Sequence, residues 1–240
     1  MSRPYNILGK VEGRSNANEV VILSAHYDHL GMAPGLRGDS IFNGADDNAS
    51  GVAAVLEIAR SLAWRPSVER TLLVAFFTAE ERGLQGSRWF VECPVVPLQN
   101  VVAAVNIETV GRSDSLVNGL GWSWLTGYEK TTVGDLIEAH NLKIVPDPRP
   151  QYNFYSRSDN FPLAVAGIPA HTLSSFGLHD DYHTVSDDVS RLDFDHLSHV
   201  TGAAENLVHL LVSGASVPSW HDDSHPFVAR QVLSRCTPYQ

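Results

Sequence analysis

Three apolar runs in this sequence end in side chains that bind metals or move protons. Residues 20–25 run into His26, residues 72–77 stop just short of Glu80 and Glu81, and residues 101–107 run into Glu108. Open α/β sheets bind ligands beyond the carboxyl ends of their strands. If the three runs are parallel neighbours, one imidazole and three carboxylates converge on one crevice. A single strand that ends in a polar residue is ordinary. Three that end in His, Glu-Glu and Glu form a pattern with a chemistry.

The flanking residues sharpen it. Asp28 lies two positions beyond His26, on the same side of an extended chain, where a carboxylate can take the second imidazole N–H and fix its tautomer. By the same alternation His29 is expected to point away. Gly44-Ala-Asp-Asp-Asn-Ala-Ser-Gly51 leads into a helix, and its paired acids suit either the helix dipole or a cation. A carboxylate there has two oxygens and can bridge two cations. Glu80 and Glu81 are adjacent, so they cannot do the same job. One can ligate a metal while the other takes a proton from bound water, the division of labour of a metal-assisted hydrolase.

Residues of this kind need a frame to hold them. The chain has 240 residues, of which 43% are hydrophobic and 18% charged, enough apolar material for a sizeable core. Short apolar runs alternate with amphipathic stretches, which predicts an α/β fold. Strands are expected at 5–11, 19–25, 71–77, 100–107 and 168–173, and helices at 50–64, 86–92, 131–140, 159–166 and Phe194–Val212. Ser50 is placed to cap the first helix and Pro66 to limit its far end. Several strands are apolar at consecutive positions, as expected when both faces are covered. The Gly- and Pro-rich stretches 31–44 and 146–150 read as surface loops. No linker divides the chain, so residues 1–240 are expected to form a single domain, with an irregular tail at 218–240. Seventeen basic against 27 acidic residues give a net charge of −10, which argues against nucleic-acid partners. No run approaches the ~18 apolar residues of a membrane span.

Six segments together resemble the co-catalytic di-zinc aminopeptidase family, whose members include leucine-type aminopeptidases, glutamate carboxypeptidases and glutaminyl cyclases. They are His26-Tyr-Asp-His-Leu-Gly, Gly44-Ala-Asp-Asp-Asn-Ala-Ser-Gly, Thr78-Ala-Glu-Glu-Arg-Gly-Leu-Gln-Gly-Ser, Asn106-Ile-Glu, Arg157-Ser-Asp-Asn and Asp181-Tyr-His-Thr. The resemblance implies a mixed, largely parallel central sheet with helices on both faces. It implies that His26 and Glu108 bind one zinc, Glu81 and His183 the other, and that Asp47 bridges them. Glu80 becomes the general base that activates a metal-bridging water, and Asp28 the residue that orients His26. Manganese or cobalt can replace zinc at such mixed ligands. Residue chemistry alone does not choose among His171, His179 and His183; the Asp-Tyr-His-Thr match selects the third.

Tyr155 and Arg157 fall near positions that contact substrate in relatives, Tyr155 as a possible oxyanion donor. The chain departs from the pattern at Asn160, where many relatives have His, and at Glu108, where leucine-type members often have Asp. The implied activity is removal of N-terminal residues from peptides. A carboxypeptidase needs a cationic pocket, for which Arg157 is the one obvious candidate beside the motifs. A glutaminyl cyclase uses one zinc. Receptor-type ectodomains of this fold are expected to lose ligands that this chain keeps. The family resemblance implies an extracellular or periplasmic enzyme. The N-terminus has no signal-peptide core, as expected of a mature chain or a cytoplasmic one. The His221-Asp-Asp-Ser-His225 cluster falls in the expected tail. Cys93 and Cys236 are compatible with one disulfide or two separate thiols.

Overall fold

Alternate residues of the apolar runs enter two separate cores, and this is what makes the sheet a central layer. The computed structural model describes residues 4–214, 216–222 and 224. Its strands are β1 (Ile7–Val11), β2 (Asn16–His26), β3 (Gly31–Met32), β4 (Ile41–Phe42), β5 (Arg70–Phe77), β6 (Val101–Ile107), β7 (Ser123–Leu125), β8 (Ile144–Pro146) and β9 (Ala170–Ser174). Seven of them form one sheet in the order β1-β5-β2-β6-β9-β7-β8. The central strands β5, β2, β6 and β9 are mutually parallel, whereas β1 and β7 join their neighbours antiparallel. The sheet is therefore mixed but largely parallel.

Along β2, Val21, Leu23 and Ala25 enter one core with Val55 and Ile58 of α1 (Gly51–Leu62) and with Leu207 and Leu211 of α5 (Phe194–Val212). Val20 and Ile22 enter the opposite core with Phe90 of α2 (Gln85–Glu92) and Leu163 of α4 (Asn160–Val165). The remaining helix, α3 (Thr132–Ala139), packs Val133 and Ile137 on the α1 side. Helices thus cover both faces, as the consecutive apolar positions require. Burying a side chain such as Ile22 or Leu23 completely is worth roughly 1.5–3 kcal/mol, so the central strands are firmly anchored.

Several expectations change. Ser50 does not cap α1: its own backbone is helical, and its Oγ donates to the carbonyl of Asp46 at 2.6 Å and accepts from Val110 N–H at 3.1 Å. The hydroxyl therefore ties the Asp46 turn to the chain after β6 instead of closing a helix end. The stretch 31–44 is a surface feature but contains the β3–β4 hairpin. The short strands β7 and β8 leave no signal in the sequence, because three residues carry no periodicity. In the expected tail, Trp220 pairs with Thr131 and donates its indole N–H to the carbonyl of Gly167 at 2.8 Å. Asp223, His225 and Cys236 lie outside the described residues, and so do the His221-Asp-Asp-Ser-His225 cluster as a whole and the pairing of Cys93 with Cys236.

Candidate active site

The parallel pairing of β5, β2 and β6 brings their carboxyl ends together. His26, the last residue of β2, is in register with Phe77 of β5 and lies beside the end of β6, which leads into Glu108. Asp47 comes from the irregular turn before α1, which is buried throughout residues 45–48. His183 arrives on the loop after β9.

The two oxygens of Asp47 face different imidazoles. Oδ1 lies 3.2 Å from His26 Nε2, and Oδ2 lies 3.0 Å from His183 Nε2. His183 Nε2 is also 3.3 Å from Glu81 Oε1. Ligand atoms of His26, Asp47 and Glu108 lie close enough to share one ion, and so do those of His29, Asp47 and Glu81. His26 Nε2, His183 Nε2 and Glu81 Oε1 are buried and make no hydrogen bond despite these short separations. Buried polar atoms are costly when unpaired. Atoms that crowd one point without donating to one another are what a cation satisfies, so the donor set fits metal ions.

Neighbouring groups aim these side chains. His26 Nδ1–H donates to the backbone carbonyl of Asp28 at 3.0 Å, which turns the Nε2 lone pair toward Asp47. The carboxylate of Asp28 sits farther off, 3.9 Å from Nδ1, and instead accepts the N–H groups of Glu80 (3.0 Å) and Glu81 (3.4 Å). Asp28 thus reaches His26 through its main chain and the Glu80–Glu81 pair through its side chain. Ser158 donates to Glu108 Oε2. Ala79 before Glu80, Thr109 after Glu108 and His183 itself have φ of 54°, 51° and 58°. Each such residue costs about 1–3 kcal/mol unless its surroundings hold it, and outliers of this kind gather at functional sites.

Electrostatics give the same answer. Burial pushes the Glu80 carboxyl up to about 9, with the charge of Glu108 next in weight. Burial likewise brings Glu108 to about 7 against the pull of His26. Burial opposes a charge on Asp47, but the imidazoles of His183 and His26 close beside it outweigh burial and hold the carboxyl well below its ordinary range. Carboxylates this crowded disfavour one another's charge, and nearby positive charge relieves that.

A small cavity of about 50 Å³ opens beside Asp47, Glu80 and Glu108, walled by Trp124, Phe154, Phe176 and Tyr182. Arg157 lines it too, its guanidinium 5.1 Å above the Phe154 ring. Tyr155 does not line it. In the tight turn that starts at Phe154, residues i and i+3 share a side, so Phe154 and Arg157 face the cavity. Tyr155 turns back against Phe161 and His171, with Lys130 over its ring. Sequence reasoning missed Tyr182, which stacks on His183 with ring centroids 3.8 Å apart. Its signal was present in the Asp-Tyr-His-Thr segment. Asn160 takes no part in the ligand cluster; it bonds to Tyr155 O and Thr172 Oγ1. His171 is committed to Thr131 and Thr126, and His179 to Asp46.

A largely parallel sheet that gathers buried carboxylates and imidazoles at adjoining strand ends defines an α/β protein with a candidate metal centre. The chain belongs to Peptidase family M28, whose profile matches residues 6–208. It is 31% identical over 186 residues to a "probable lipoprotein aminopeptidase LpqL" of Mycobacterium tuberculosis, covering 71% of this chain and 34% of that one. Its fold is similar to that of a zinc aminopeptidase from Bacillus subtilis, with a TM-score of 0.68, 23% identity, and coverage of 85% of this chain and 49% of that one. It is also similar to the glutaminyl cyclase of Porphyromonas gingivalis, with a TM-score of 0.64, 19% identity, and coverage of 85% and 76%. The chain spans 22–34% of the length of the first curated relatives it matches. No helix among the described residues is long and apolar enough to cross a membrane.

Proposed function

We propose that this chain is the catalytic domain of a zinc aminopeptidase that holds two zinc ions sharing Asp47. The observation that carries this is the split of the Asp47 carboxylate, with Oδ1 toward His26 and Oδ2 toward His183. His26, Asp47 and Glu108 would hold one ion, and Asp47, Glu81 and His183 the other. When bound, the ions polarise the scissile carbonyl and make water acidic enough to lose a proton at neutral pH.

The chain's own residues do the rest. Glu80 lines the cavity without belonging to either ligand cluster, and Asp28 pins its backbone. Its carboxylate accepts the proton of the attacking water and returns it to the departing amine. Burial, with the carboxylates of Asp47 and Glu108 next in weight, pushes the Tyr182 phenol up, so it keeps its proton and can donate to the carbonyl oxygen as negative charge develops there. Carboxylate oxygens around the cavity hold the substrate ammonium. Trp124, Phe154 and Phe176 offer an apolar wall to the first side chain, with Arg157 at the rim. The lipoprotein relative supports action outside the cytoplasm or in the periplasm.

The test compares leucyl, lysyl and glutamyl chromogenic amides with N-acetylated leucyl amide and a peptide ending in glutamate. Cleavage of leucyl amide that acetylation abolishes is the expected result. Release of C-terminal residues alone, or cleavage indifferent to acetylation, overturns the aminopeptidase assignment. Cyclisation of N-terminal glutaminyl peptides without hydrolysis identifies a cyclase instead.

A further inference from the structure

We infer that His29 is a fourth protein ligand of the ion held by Asp47, Glu81 and His183, so that the two metal positions differ in kind. This rests on the two-metal reading above.

His29 lies where strand alternation no longer applies. β2 ends at His26, and the chain beyond it is irregular. The side chain that alternation directs outward is instead 8% exposed and sits against the ligand cluster. His29 Nδ1 is 3.0 Å from Glu81 Oε1 and 3.8 Å from Asp47 Oδ2. Neither contact is a hydrogen bond, and both ring nitrogens of His29 are buried with no hydrogen-bond partner. An imidazole that merely oriented Glu81 would donate to it. This one presents Nδ1 at donor–acceptor distance in the wrong direction for donation, as two ligands of one ion do.

The separations between neighbouring atoms of the cluster are those of ligands on one ion. With metal–ligand bonds of about 2.0 Å, the ligand atoms of a tetrahedral zinc stand about 3.3 Å apart. Around the ring His29 Nδ1, Glu81 Oε1, His183 Nε2 and Asp47 Oδ2, the four separations are 3.0, 3.3, 3.0 and 3.8 Å. The rings of His29 and His183 meet edge to face, with centroids 5.6 Å apart.

The backbone also makes room for this ring. Gly44 has φ +62, and a Cβ on it would stand 2.6 Å from His29 Cγ and 2.4 Å from the carbonyl oxygen of Asp47. Any larger residue would push the imidazole out of the cluster or displace the turn that carries the bridging carboxylate. The position shared by His29, Asp47, Glu81 and His183 would then have four protein ligands. The position of His26, Asp47 and Glu108 has three.

The test is stepwise Zn²⁺ and Co²⁺ titration of the chelator-stripped protein, with circular dichroism as the check on folding. Wild type, His29→Ala, His29→Gln and His183→Ala are compared. Glutamine can still donate to Glu81 but is a poor zinc ligand. If His29 ligates, both His29 variants lose about 100-fold or more in one of the two affinities. That affinity is the one His183→Ala weakens, and the intense visible absorption of four-coordinate Co²⁺ is lost with it. Free imidazole restores that absorption to His29→Ala. Retention of both affinities within about threefold, or retention in His29→Gln alone, overturns the ligand role and leaves the two-metal reading intact. Binding of a single ion by wild type overturns the two-metal reading itself.

Discussion

Asp187 holds Asp47 in place from 140 residues away: its Oδ2 accepts the Asp47 backbone N–H at 3.0 Å, and its Oδ1 accepts that of Asp46 at 2.9 Å. Asp187 is fully buried, and the carbonyl of the same residue accepts Ala45 N–H at 3.1 Å. Arg112 adds a tie, donating to Asp181 at 2.8 Å on the loop that carries His183. The turn that carries Asp47 and the loop that carries His183 are therefore tied together by the hydrogen bonds of Asp187 to main-chain N–H groups and by the ion pairs of Arg112 with Asp46, Asp181 and Asp187. The site depends on this as much as on the ligands themselves.

Asp187→Asn should disturb Asp47 without removing any ligand. An amide offers one acceptor where two N–H groups converge, and its NH₂ opposes one of them. A lost hydrogen bond to a buried carboxylate is worth about 1.5–3 kcal/mol. Groups that orient ligands typically change metal affinity by about 10–100-fold. Chelator-competition measurements on the folded variant should show weakened binding of both ions, since Asp47 serves both.

Asp47→Ala should reduce metal content from two ions per chain to nearly none. His26→Ala and His183→Ala should each lose one. Elemental analysis of zinc-replete protein measures this directly. A single ion retained by Asp47→Ala at wild-type affinity contradicts the bridging role.

Glu80→Gln keeps the shape and loses the base. It should lower kcat by about 10²–10⁴-fold while metal content stays at the wild-type level. Glu81→Gln should lose metal. The opposite outcome, with metal lost from the Glu80 variant only, reverses the two roles.

His171 makes stability depend on pH far from the chemistry. Burial lowers its pKa from 6.5 to about 4, and its neutral ring donates from Nδ1 to Thr126 O and accepts from Thr131 Oγ1. Because the folded value lies below the unfolded one, the unfolded chain binds the extra proton first. Stability is undiminished above pH 6.5, falls as pH drops from 6.5 toward 4, and levels off below that. The loss amounts to about 3 kcal/mol. Urea unfolding across this range should show it, and His171→Gln should flatten that part of the curve while lowering stability at every pH.

Much of this protein can be read from its sequence. Continuous apolar runs marked the four central strands to within a few residues, because strands covered on both faces must be apolar at every position. The same runs placed His26, Glu81 and Glu108 at strand ends, and the segment resemblance supplied Asp47, Glu80 and His183. Tertiary structure decided the rest. Two-residue alternation sent His29 outward, but alternation holds only inside a strand, and the chain turns after His26. The resemblance points to Tyr155, but nothing in the sequence says which side of a three-residue turn faces a cavity, and Tyr182 lines it instead. Asp187 could not be foreseen, since its role exists only once residues 140 positions apart meet. Local patterning records which side chains are buried and at what period. It does not record which loops meet beyond the sheet, and in this fold the loops complete the site.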